Sequence, residues 1–114
     1  MRKFAFILPL LLGCKGDEEQ LLECPDESFV TYENFGEPFM LTWCTPCHSS
    51  HLVTEEERQG APSGVNLDSY DDVLDESAHI QLFVLDTDVM PPAGGPEEDD
   101  LDLLAEWIAC GMPE

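Results

Sequence analysis

The stretch Phe39-Met40-Leu41-Thr42-Trp43-Cys44-Thr45-Pro46-Cys47-His48 decides how this chain is read. A short apolar run leads into two thiols, and an imidazole follows the second thiol directly. Residues three apart on a helical turn lie about one turn apart, so Cys44 and Cys47 can present both sulfurs to one side. Pro38 fits the first turn of a helix running through Phe39–Trp43 and into the cysteine pair, where a missing N–H does no harm. Two thiols and an imidazole packed this closely are ligands or nucleophiles before they are packing.

Working outward, the N-terminus carries the marks of export. Arg2 and Lys3 precede an apolar run from Phe4 to Leu12, and Leu11-Leu12-Gly13-Cys14 supplies small residues where cleavage would fall. The run is too short to span a bilayer as a helix. Leu-Leu-Gly-Cys resembles a bacterial lipobox, which implies cleavage before Cys14 and lipidation of that cysteine. The expected organisation is a signal at 1–13, an acidic tether at 14–27 and one domain at 28–114. It places the domain outside the cytoplasm, lipid-anchored in the cell envelope, in the periplasm or on the outer surface.

Charge narrows the partners. The chain has 25 acidic and 4 basic residues, a net charge of −21, and loss of residues 1–13 leaves only Lys15 and Arg58 as basic side chains. Such a surface repels nucleic acid, so no polynucleotide partner is expected. It favours cationic partners and speeds encounter with them at low salt. The acidic residues do not form a calcium-binding loop: Asp86-Thr87-Asp88 lacks the later glycine and glutamate. At 114 residues the chain holds one domain, whose core is only marginally sufficient by itself. A cofactor, a metal or a disulfide is expected to supplement it.

The pattern of elements is mostly helical, about three helices with long loops. Residues 49–66 are polar and rich in glycine and proline, so they read as a loop. A second helix is expected from about Ser69 to Leu85, with Val73, Leu74, Ile80, Phe83 and Val84 on an imperfect apolar face. Residues 86–95 form a further loop around Met90-Pro91-Pro92. The last helix is expected to begin at Pro96. Glu97 to Asp100 complement its positive end, Leu101, Leu104, Ala105 and Ile108 line one face beside Trp107, and Gly111 stops it.

Cys44-Thr45-Pro46-Cys47-His48 matches the C-x-x-C-H pattern of covalent haem attachment. The two sulfurs would meet the two vinyl groups of haem c, and His48 would ligate the iron. Methionine often fills the opposite axial position, and Met90 in its proline-flanked loop is the candidate. Met40 and Met112 read as core or tail residues, and His51 and His79 as ordinary surface or half-buried histidines. Three other chemistries compete. Trp43-Cys44-Thr45-Pro46-Cys47 also matches the active site of thioredoxin-like oxidoreductases, although Asn34-Phe35-Gly36-Glu37-Pro38 interrupts the strand such a fold requires. Zinc could use Cys44, Cys47, His48 and His51, but a second spaced ligand pair is missing. A haem enzyme would need an open sixth position.

From Gly36 to Pro113 the chain resembles the small class I monohaem cytochromes c, in the short bacterial form with a CxxCH, a glycine-rich loop, MPP and a closing W-I-x-x-G-x-P helix. The resemblance implies a cytochrome c-like fold wrapped round one haem, and an electron carrier rather than an enzyme, exchanging electrons with redox proteins that carry a basic patch. It implies a crossing of first and last helices, with Gly36 against Leu104 and Trp107. It also implies that the Pro62 carbonyl orients the haem histidine. Two departures stand out: Met40 occupies a position usually aromatic, and the short interval from His48 to Met90 would expose one haem edge. If the outer helices cross, Cys24 and Cys110 come close enough for a disulfide, which persists in an exported protein. Closing so long a loop adds roughly 4–5 kcal/mol on the chain-entropy model.

Overall fold

Thr31 opens the first helical element through a reciprocal cap. Its hydroxyl accepts from the Asn34 N–H (3.1 Å) while the Asn34 side chain accepts from the Thr31 N–H (2.7 Å). The computed structural model describes residues 22–114, so the expected signal, Cys14 and most of the expected tether lie outside the described residues. A π-helical segment, Tyr32–Gly36, runs directly into α1, Glu37–Trp43. Pro38 sits at the change of register, with no N–H to place in either ladder.

The expected second helix is broken into three pieces. These are α2 (Tyr70–Asp75), α3 (Ser77–Ile80) and a π-helical segment, Gln81–Asp86. Ser69 caps α2 by accepting from the Asp72 N–H. The break falls at Glu76, whose backbone (φ −96°, ψ 7°) leaves the helical region. The buried residues Val73, Ile80 and Val84 are spaced seven and four apart, the spacing of one helix face, and they stay in the core across the break.

The last helix, α4, spans Glu98–Ala109. Glu97 is its N-cap, so Pro96 precedes the helix rather than opening it, and Glu98, Asp99 and Asp100 occupy the first turn. Its end follows the expected stop. The Gly111 N–H donates to Ile108 O (3.0 Å) and the Met112 N–H to Trp107 O (2.8 Å), a Schellman closure. All regular structure among the described residues is helical, with no strand.

The core joins Phe39 and Met40 of α1 to Leu104 and Trp107 of α4, with Met112 beneath them. At the crossing, a Cβ on Gly36 would lie 2.9 Å from the Trp107 ring, so only glycine lets the two elements approach this closely. Tyr32 stacks nearby on Trp107, ring centroids 6.2 Å apart, and lies tilted against Tyr70 at 5.1 Å. The C-terminal carbonyls lock the assembly: Pro113 O accepts from Tyr32 N and Trp107 Nε1, and Met112 O from the Tyr70 hydroxyl. A disulfide joins Cys24 to Cys110, Cα atoms 4.7 Å apart, so the chain from Cys24 onward is held to the end of α4. No helix among the described residues is long and apolar enough to cross a membrane.

Candidate functional site

Cys44 is the C-cap of α1, and the motif continues the coil for one further turn. The Cys47 and His48 N–H groups both donate to Cys44 O, at 3.1 and 2.8 Å. This turn delivers both sulfurs and the imidazole to one cavity of about 490 Å³. Among the described residues Cys44 and Cys47 are the free cysteines, and both are half-buried. Phe39, Trp43, Leu67, Ile80 and Val84 make the cavity predominantly apolar, and its size is that of a site for a sizeable organic ligand.

Met90 lines the same cavity. Its N–H and that of Val89 both donate to Phe83 O at 2.9 Å, which ties the Met90 loop to the end of the second helical stretch. Gly95 fixes the loop's other end. Its φ of +138° and its closeness to Trp43 leave no room for a side chain, since a Cβ there would lie 2.1 Å from the indole ring. The loop bearing Met90 is thus packed on the helix that carries the cysteine pair.

The His48 ring is oriented through Nδ1, which lies 3.3 Å from Val65 O. With Nδ1 protonated and donating there, Nε2 keeps its lone pair for a ligand role. This corrects the expectation for Pro62. Pro62 lines the cavity, but its carbonyl accepts from Arg58 Nη2 at 2.6 Å, and the acceptor facing the histidine belongs to Val65, three residues on. The backbone of the loop sets which carbonyl turns inward.

The segment 65–68 is pinned to the motif at three further points. The Leu67 N–H donates to His48 O at 2.9 Å. The Asp68 carboxylate accepts from the Ser49 hydroxyl (2.6 Å) and from the Ser50 N–H (2.7 Å). Burial works to raise the Asp68 pKa, but the bonds from Ser49 and Ser50 outweigh it and hold the carboxyl below its ordinary value. Arg58, Val65, Asp68 and Gly95 were not among the sequence candidates. Arg58 is the only lysine or arginine in residues 22–114, but a lone arginine in a polar loop reads as a surface residue.

The other candidates fall in different places. His51 is exposed. His79 stands on the cavity rim, 66% exposed, with Nδ1 taken by Glu76 at 2.7 Å and its ring stacked on Phe83. Met40 and Met112 are core residues, 1% and 4% exposed. Among the described residues, no three His, Cys, Asp or Glu side chains are grouped as for a metal ion.

Cys44 is poorly placed as the nucleophile of disulfide exchange. Burial pushes the Cys44 thiol up to about 12, so it is almost wholly protonated at neutral pH. Its position at the C-terminal end of α1 works in the same direction, because that end of a helix disfavours an anion. A thioredoxin-like nucleophile needs the opposite end. No family model, curated protein or solved structure matches the chain.

Proposed function

We propose that the chain is a small c-type cytochrome that carries single electrons on one covalently held haem. The observation that carries this reading is the convergence of Cys44, Cys47, His48 and Met90 on one apolar cavity. The donor set fits the group: two thiols for its vinyl carbons, an imidazole and a thioether for its iron. When bound, the haem supplies reversible one-electron transfer between ferric and ferrous iron.

The chain's own residues do the rest. Cys44 and Cys47 would fix the group through thioether bonds, leaving no free thiol at the motif. His48, held through Nδ1, would offer Nε2 to the iron, and Met90 its thioether sulfur. A thioether ligand favours the ferrous state and raises the reduction potential. The apolar walls exclude water and work in the same direction. Exposed residues rim the cavity, His79 and Phe83 on the second helical stretch and Gln59, Gly60 and Pro62 on the loop, which suits transient docking by a partner. The acidic surface selects redox proteins with a basic patch. Cys14 would carry the lipid that holds the domain at the envelope.

The test is to express the chain alongside haem-attachment machinery, denature it, and record the visible spectrum of the band after electrophoresis. Haem that migrates with the denatured polypeptide is the expected result. A colourless polypeptide that reduces insulin disulfides would replace this reading with thiol–disulfide exchange.

A further inference from the structure

Arg58 is 3% exposed in a chain whose 25 acidic residues could each offer it a surface ion pair. Its donors go elsewhere. Nε donates to Ala61 O (3.2 Å), and Nη1 to Ser49 O (2.6 Å), Leu52 O (3.3 Å) and Asn66 Oδ1 (3.0 Å). Nη2 donates to Pro62 O (2.6 Å) and Val65 O (2.8 Å). Among the described residues the ion pair within range is His79 with Glu76, so no carboxylate neutralises the guanidinium. A buried cation is costly, and carbonyl dipoles alone compensate it here.

These acceptors have one thing in common. They begin at Ser49, next to His48, and include Val65 O, the same oxygen that faces His48 Nδ1. We infer that Arg58 is the positioning residue for His48, setting both the orientation and the donor strength of the imidazole through the shared Val65 carbonyl. The inference rests on the haem reading above.

Two effects follow, and both have the same sign. The charged donor makes the shorter bond, 2.8 against 3.3 Å, and draws electron density from the Val65 oxygen. That oxygen is then a weaker acceptor for Nδ1–H, so the imidazole is a weaker electron donor through Nε2. A fixed positive charge beside the site also favours the less positive, ferrous state of an iron ligated there. Arg58 therefore raises the midpoint potential. It does not serve as a clamp for the carboxylates of a bound ligand, because its fork is already filled by the chain's own oxygens.

The test compares the wild-type holoprotein with Arg58→Met, which keeps length and removes charge, and with Arg58→Lys, which keeps charge and loses the fork. Redox titration should give R58M a lower midpoint than wild type with the iron–sulfur band intact, and R58K a midpoint between the two. An R58M holoprotein with the wild-type midpoint and an intact band would overturn the assignment. If R58M yields no folded holoprotein, NMR of the ferrous wild-type protein decides. Arg58 Nη protons in slow exchange, with a nuclear Overhauser contact to His48 Nδ1–H, are expected; freely exchanging protons without that contact overturn it. A wild-type chain that takes up no covalent haem would instead sink the reading of the preceding subsection.

Discussion

Met90 and Asp68 act at the scale of single side chains, and each makes a separate prediction. Met90→Ala in the holoprotein should abolish the sulfur-to-iron absorption band and lower the reduction potential, because the soft thioether that favours ferrous iron is gone. Survival of the band would point to another ligand, and a His79→Ala companion would test the histidine on the cavity rim. Asp68 supplies a pH dependence. Its folded pKa lies below the ordinary value of 3.8, so its contribution is fully present above that value and is lost as pH falls through the lower folded one. Asp68→Asn should cost about 1 kcal/mol at neutral pH, a discounted figure for an exposed carboxylate with two bonds. The difference in Tm between wild type and D68N should shrink below about pH 4. The convergence of Cys44, Cys47 and His48 on one cavity was legible in the sequence, because their fixed spacing brings them to one side of a turn. The choice of Val65 over Pro62 was not, since backbone torsions of the loop, not side-chain identity, turn a carbonyl toward the imidazole.

Helical elements meet where a glycine permits it. Gly36→Ala would push a methyl group into a Trp107 ring that is wholly buried and has nowhere to move. The expected cost is about 1–3 kcal/mol, seen as a fall in Tm of several degrees, with the CxxCH motif untouched. The crossing of the outer elements was readable from Gly36, Leu104 and Trp107, whose spacing resembles that of small cytochromes. The ends of α4 were readable too, within two residues: its acidic first turn and Gly111 give it away, while Pro96 was placed two positions too far inside. The break at Glu76 was hidden. Nothing in Asp75-Glu76-Ser77 is a helix breaker, and Val73, Ile80 and Val84, spaced seven and four apart, read as one continuous helix face.

For the whole molecule, the covalent link between the ends of the domain reinforces a small core. Among the described residues that core is nine buried apolar side chains, few for a chain that must also line a cavity. The Cys24–Cys110 disulfide spans 86 positions, and its removal by Cys24→Ser with Cys110→Ser should cost about 4 kcal/mol, measured by denaturant unfolding of the holoprotein. Its ends sit far from the cavity in sequence and on the opposite termini of the domain, so the visible spectrum should be unchanged. The acidic surface was legible from composition alone, whereas Arg58 as a buried organiser of the 49–66 loop was not, because a lone arginine in a polar loop reads as surface. Intact mass spectrometry of the purified, denatured chain tests the account most directly. A polypeptide heavier by one haem, with the added mass on the peptide containing Cys44 and Cys47, is the predicted result; a mass explained by amino acids and lipid alone, after maturation with haem available, would contradict it.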